Sequence, residues 1–309
     1  MRQKIILAGG SGFLGQALAE ELIKKDYDVL ILSRSPKKSE GKVQYEEWDG
    51  KSLGDWIKHL DGAFAVVNLT GKSVNCRYTA KNRKEIIESR THSAEAIGKA
   101  ILQCKNPPKA WVQTSSLAIY GDAGDKICDE NTPPGKGFSP NVCISWEKAI
   151  QEIKTPSTRK VILRIGLVLG YEGGVLEPFV NITKCFLGGT IGSGKQYLSW
   201  VHVEDMNRIF LNCIERDDYD RVFNITSPHP VTNAEFMRTL RRALGRPWSP
   251  PTPVWMVRIG TKILGTESEL VLTGRRGKPA RLLEQGFHFE YPYLKEALGD
   301  LFKTQKSKS

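Results

Sequence analysis

Lys4-Ile5-Ile6-Leu7-Ala8-Gly9-Gly10-Ser11-Gly12-Phe13-Leu14-Gly15 is a short apolar run that feeds directly into a cluster of glycines. Ile5 to Leu7 have the length and branching of a strand buried in a parallel sheet. Beyond the glycines, Phe13, Leu14, Ala17, Leu18 and Leu22 recur at helical spacing, with Glu20, Glu21, Lys24 and Lys25 on the other side. Strand, glycine turn and helix in this order read as a dinucleotide-binding turn. The plain alternative is a βα turn that happens to be rich in glycine. Gly9 suits a tight turn, Gly12 lets the main chain approach a pyrophosphate, and Gly15 lets the helix lie close on the strand. Gly9, Ser11, Gly12, Phe13, Leu14 and Gly15 then form the phosphate-binding end. There, free N–H groups and the positive end of the helix dipole meet the anion.

The next strand, Tyr27 to Leu32, ends in Ser33-Arg34-Ser35. Sites that prefer NAD carry an acidic residue about 20 residues past the glycines, where it holds the ribose hydroxyls. Ser33 and Arg34 stand there instead, and no carboxylate does. An arginine at that place can grip a 2′-phosphate in bidentate fashion, so the reading is NADP(H) over NAD.

Working outward, strands are expected at 43–48, 63–69, 111–114, 160–170 and 223–225. Helices are expected at 79–104, 146–153, 176–186, up to about 216, and at 232–243. The polar stretch 121–141 reads as a loop. Regular alternation of strands and helices predicts an α/β fold: a Rossmann-like, doubly wound parallel sheet with a smaller mixed C-terminal substrate lobe. Glycines become frequent after Gly170, so the boundary is set there. Residues 1–170 form the cofactor domain and 171–309 the substrate lobe, with further helices at 255–264 and 268–272 and a closing stretch 279–298.

Composition narrows the function classes. The 309 residues, 40% hydrophobic and 26% charged, suit an ordinary globular protein. No apolar run approaches the ~20 residues of a membrane span. Met1 leads straight into the first strand, which leaves no room for a signal peptide. Six cysteines are scattered without metal-ligand spacing, so reduced thiols, a cytoplasmic location and no metal site are expected. The net charge of +11 is spread along the chain, with one basic run, Lys303 to Lys308, read as a frayed tail. No nucleic-acid module and no membrane partner is indicated; a small-molecule substrate and a monomer or homodimer are.

The pattern as a whole resembles the extended short-chain dehydrogenase/reductase superfamily, within it the atypical epimerase-family branch with an extra C-terminal domain. The glycine turn, Asn68-Leu69-Thr70-Gly71 and Ile86-Ile87-Glu88-Ser89-Arg90 fit that branch. So do Arg164 to Gly170, Gly192 to Gln196 with Ser199 to His202, and Gly286-Phe287-His288-Phe289. The resemblance implies that Ser33 and Arg34 meet the adenosine phosphate and that Asp49 sits near the adenine. It places Leu69, Thr70 and Gly71 along the ribose and pyrophosphate, and Val168 beside the nicotinamide. Glu85 and Arg90 would share the groove, although five positions on a helix set them about 140° apart. A surface ion pair and a core valine are the ordinary alternatives for those three.

Superfamily catalysis uses a tyrosine whose phenol handles the proton and a lysine four residues on that lowers its pKa. Ser116 falls at the accompanying serine position. Where the pair is expected stands Asn141-Val142-Cys143-Ile144-Ser145-Trp146-Glu147-Lys148, with no tyrosine. The polar candidates left are Cys143, Glu147, His202 and Tyr120, with Ser116 and His202 taken forward as catalytic. Lys195, Gln196, Trp200, Arg275 and Arg276 are candidates for an anionic or sugar-like ligand. Three readings compete: hydride transfer with other acid–base groups, as an oxidoreductase or epimerase-type activity on an unknown small molecule; NADP(H) binding without turnover, as a regulatory or interaction protein; and a fold kept for a structural role.

Overall fold

The computed structural model describes residues 2–39, 41–170 and 173–308. A seven-stranded, all-parallel sheet runs through it. In chain order its strands are β1 (Lys4–Ala8), β2 (Asp28–Ser33), β3 (Val43–Glu47), β4 (Ala65–Asn68) and β5 (Ala110–Ser116). A two-residue strand, β6 (Ile127–Cys128), lies apart; β7 (Arg159–Ile165) rejoins the sheet. The last sheet strand, after three short ones outside the sheet, is β11 (Val222–Ile225). The spatial order is β11-β7-β5-β4-β1-β2-β3, so chain direction reverses its winding between β1 and β4. A crevice opens at the carboxyl ends of strands at such a point.

Each strand alternates its faces. Ile5 and Leu7 enter one core layer with α1 (Phe13–Lys24) and α5 (Val203–Glu215). Ile6 and Ala8 enter the other with α2 (Ala80–Ile101) and α3 (Phe138–Glu152). Both layers are apolar because both faces of a parallel sheet are covered. A third core, around Trp200, Phe236 and Leu298, lies under α4 (Leu176–Lys184), α6 (Asn233–Ala243) and α10 (Leu294–Lys308). Four short strands border it: β8 (Leu167–Leu169), β9 (Tyr197–Leu198), β10 (Trp200–His202) and β12 (Val231–Thr232). The remaining elements are α7 (Val254–Ile263), α8 (Glu269–Leu272), β13 (Arg276–Gly277) and α9 (Ala280–Glu284).

Several expectations are revised. The sheet crosses residue 170, because β11 comes from beyond it and pairs with β7. The single strand 160–170 is two, β7 and β8, and β8 leaves the sheet to pair with β10. Gly166 makes the break: a Cβ there would lie 2.4 Å from the Ser199 carbonyl oxygen. The loop 121–141 holds β6, and α3 begins eight residues before Trp146, at Phe138. Pro140 is tolerated in the first turn of α3, where its missing N–H has no partner to lose. The backbone of the basic run 303–308 continues α10 as helix, not as a frayed tail.

Candidate cofactor cleft and adjoining cavity

The glycine turn sits at the carboxyl end of β1, beside the end of β4. Gly9 has φ +73°, and a Cβ on it would meet Thr70 at 2.8 Å. Its N–H donates to the Leu32 carbonyl (2.8 Å), which ties the turn to β2. Gly15 packs against Gly10, where an added Cβ would stand 2.3 Å from the Gly10 oxygen. Gly12 differs: a Cβ there meets nothing within 4 Å. Gly12 is also the N-cap of α1, so no side chain caps that helix and its first N–H groups face the open side. Thr70 Oγ1, which packs against Gly9, is buried and has no hydrogen-bond partner among the described residues. An open shelf, uncapped helix N–H groups and an orphaned hydroxyl fit the phosphates of a dinucleotide.

The other cofactor candidates are placed around this shelf. Ser33 Oγ donates to Ser11 Oγ (3.3 Å), joining the end of β2 to the turn, and Arg34 beside it is exposed. Asp49 accepts from the Lys51 and Ser52 N–H groups and from Ser52 Oγ, which shapes the turn after β3. Leu69 N–H donates to the Ala8 carbonyl (2.8 Å), and Thr70 N–H to Asn68 Oδ1 (3.0 Å). Phe13 turns away from the turn and packs on Gly170 and Gly174. Val168 is a core residue of β8.

Glu85 and Arg90 part company. Glu85 is half-exposed and paired with Lys72. Arg90 lies over Trp146 (5.0 Å) and against Gly71, donating to the Lys72 and Ile86 carbonyls (2.9 Å each). Burial pulls its pKa below the usual value.

Next to Arg90 a cavity of about 250 Å³ opens at the carboxyl ends of β5 and β7. Ser116, Cys143, Trp146, Ile165, Tyr197, Ser199 and Arg275 are in its wall, together with Tyr78, Phe138, Ser139, Glu269 and Thr273. Ser116 Oγ caps the turn after β5, accepting from the Ala118 N–H (3.2 Å), and reaches the Ile165 carbonyl (3.4 Å). Cys143 and Glu147 are four residues apart on α3, the spacing at which the superfamily pair is expected. Burial, with the Glu147 carboxylate adding to it, pushes the Cys143 thiol up to about 11. The thiol therefore keeps its proton at neutral pH.

Glu147 faces inward. It accepts from Arg164 Nε (2.9 Å) and Nη2 (2.8 Å) and from Ser115 Oγ (2.8 Å). Arg164 Nη1 also donates to Tyr120 Oη (2.9 Å). That hydroxyl lies 2.7 Å from the Asp129 carbonyl and 2.8 Å from Asn224 Oδ1. Burial works against the Arg164 charge, and the bonds to Glu147 overcome it, so its pKa is raised. Tyr120 is thus structural, and Glu147 is committed to a buried ion pair.

His202 is not in the cavity wall. It is fully buried, its Nδ1 accepts from the Glu204 N–H (3.2 Å) at the start of α5, and its ring stacks on Tyr291 at 3.9 Å. Desolvation lowers its pKa, against Glu204, Asp300 and Asp205, which raise it. Of the ligand candidates, only Arg275 reaches the cavity. Trp200 is core, Gln196 bonds the Ile191 and Val271 carbonyls, Lys195 is exposed, and Arg276 stacks on Tyr197. Tyr78, Ser139, Glu269 and Thr273 were not singled out from the sequence. They come from loops, from the first turn of α3 and from α8, where no periodicity marks a site.

Among the described residues no group of three or more His, Cys, Asp or Glu could hold a metal ion, and no helix is long and apolar enough to cross a membrane. Comparison with known proteins then places the chain. Residues 252–301 match a domain of unknown function (DUF1731). Epimerase family protein YfhF of Bacillus subtilis is 34% identical over 307 residues, covering 98% of this chain and 99% of that one. Human epimerase family protein SDR39U1 is 32% identical over 303 residues, covering 96% and 99%. A crystal structure of human SDR39U1 (isoform 2) with NADPH superposes with a TM-score of 0.87 at 31% identity, covering 97% of this chain and 99% of that one. With residues 5–226 matching its description, this chain belongs to the NAD dependent epimerase/dehydratase family.

Proposed function

We propose that this chain is an NADP(H)-binding oxidoreductase of the short-chain dehydrogenase/reductase type, acting on a small molecule in the cavity beside Ser116. The carrying observation is the glycine turn, open above Gly12 and with the orphaned Thr70 hydroxyl packed against Gly9. The NADPH in the human relative's crystal structure supports the choice of cofactor. When bound, NADPH supplies a hydride.

The chain's own groups then divide as follows. Ser33 and Arg34 take the 2′-phosphate, and Gly9 to Gly15 with Leu69, Thr70 and Gly71 take the pyrophosphate and ribose. Asp49 and Val168 border the two rings, and Arg90, packed on Gly71, adds positive charge on the cofactor side. Ser116 Oγ orients the substrate oxygen. Residues 171–309 wall the substrate through Tyr197, Ser199, Glu269 and Arg275.

Titrating NADPH and NADH against wild type and Arg34→Ala tests the cofactor assignment. Loss of one charge-assisted contact weakens NADPH by roughly 1.5–3 kcal/mol, about 10- to 150-fold, and leaves NADH nearly unchanged. Equal losses for both nucleotides would remove Arg34 from the phosphate site.

A second reading, NADP(H) binding without turnover, is favoured by one observation. Cys143 and Glu147 stand at the proton-relay spacing, one a protonated thiol and the other locked to Arg164. A carbonyl screen that follows the nicotinamide absorbance separates the two. The oxidoreductase reading expects turnover that falls at least 10-fold in Ser116→Ala, whereas the binding reading expects none.

A further inference from the structure

Arg275 is held by its backbone and left open at its head. Its N–H donates to the Tyr197 carbonyl (3.2 Å), and its own carbonyl accepts from Ser199 Oγ (2.7 Å). Gly274 before it is threaded so closely that a Cβ would stand 2.5 Å from the Tyr197 nitrogen. Gly274 N–H also donates to Asp122 Oδ1 (3.1 Å). The guanidinium, by contrast, makes one hydrogen bond among the described residues, from Nη2 to Thr273 Oγ1 (3.3 Å).

Two carboxylates face that guanidinium, and neither closes on it within 4.0 Å. Asp122 is engaged by Gly274, and Glu269 accepts from Ser139 Oγ (3.2 Å). Burial lowers the Arg275 pKa against the pull of these groups. A half-buried cation with no carboxylate in contact gains from an anion brought to it, which supplies the missing charge partner. The fork of unused N–H donors suits a planar oxyanion better than a single acceptor.

The surroundings limit what carries that oxyanion. The cavity of about 250 Å³ is smaller than the ~300 Å³ at which pockets begin to take drug-sized ligands. Trp146, Phe138 and Leu117 line the same cavity as Arg275, so the body of the ligand is short and partly apolar. Arg90 also lines the cavity, with one of its nitrogens serving two carbonyls and its plane lying against Gly71.

We infer that Arg275, with Thr273, is the recognition site for the carboxylate of a small, partly apolar substrate whose other end reaches Ser116. The inference rests on the oxidoreductase reading for what happens at Ser116, but the binding of the carboxylate is separable from it.

The test titrates benzoate, benzamide and phenylphosphonate into the protein, with and without saturating NADPH, by calorimetry. Wild type binds benzoate at least 10-fold tighter than benzamide. Arg275→Gln removes that preference, with NADPH affinity within twofold of wild type, which also shows that the variant is folded. Arg275→Lys keeps the charge, loses the fork, and retains part of the preference. Equal binding of benzoate and benzamide, no binding of either, or a preference that survives Arg275→Gln overturns the assignment. Tighter binding of phenylphosphonate than of benzoate overturns the carboxylate in favour of a phosphoryl group. If NADPH itself does not bind, the cofactor reading falls, and the cofactor-free titration still decides the carboxylate.

Discussion

Glu147→Ala destabilises the protein by about 3–5 kcal/mol, because it leaves the Arg164 guanidinium charged and buried without its carboxylate. Both side chains are almost completely enclosed, at 7% and 10% exposure, so water cannot replace the lost partner. Ser115 loses its acceptor as well, and the bond from Arg164 to Tyr120 loses its anchor. Removing both charges together, as Glu147→Leu with Arg164→Met, recovers much of the loss, since no isolated ion remains. Urea unfolding of the two single variants and the double variant measures the coupling. A double variant that loses the plain sum of the singles would show that the pair is not a unit. The result also bears on chemistry: a carboxylate that holds the fold in this way is not free to shuttle a proton.

The second large effect separates two neighbouring glycines. Gly12→Ala costs stability no more than about 1 kcal/mol, since the added methyl meets nothing and the backbone (φ −86°, ψ 179°) suits alanine. It nevertheless weakens NADPH roughly 100-fold, about 2.7 kcal/mol, by filling the space through which the pyrophosphate reaches the α1 N–H groups. Gly15→Ala does both kinds of damage. Its methyl falls 2.3 Å from the Gly10 oxygen, so α1 must lift off the turn, at a cost of about 1–3 kcal/mol in stability. Parallel unfolding and nucleotide titrations check the pair. Wild-type NADPH affinity in Gly12→Ala would mean that the shelf holds something other than a pyrophosphate.

The positions of the strands along the chain were legible because buried parallel strands are short apolar runs between helices, and Ile5–Leu7, Val29–Leu32 and Val66–Val67 carry that signal on their own. The glycine turn was legible for the same local reason. Glu147 was not. Helical periodicity shows that it neighbours Trp146 and Ile150, but its partner Arg164 lies on β7 and only the tertiary fold brings them together. His202 was misleading in a different way: its polarity suggested a pocket, whereas it caps α5 from inside the core. The start of α3 was hidden by Gly137 and Pro140, which read as loop residues although one precedes the helix and the other fits its first turn. Arg275 could be marked as a ligand candidate, but what distinguished it from Arg276 was the direction of each side chain, which spacing does not carry.

The strand that closes the sheet has a consequence for how the chain is made. During synthesis the cofactor half emerges first, yet the outer edge of β7 has no neighbour until Val222–Ile225 leave the ribosome. Until then Arg159–Ile165 offers a row of unpaired amides and carbonyls, an edge on which another nascent chain can template. The half that reads as a module is therefore not one that can be cut out, fused or exchanged at residue 170. Any shorter form that keeps the nucleotide cleft must retain β11 and the connection that delivers it.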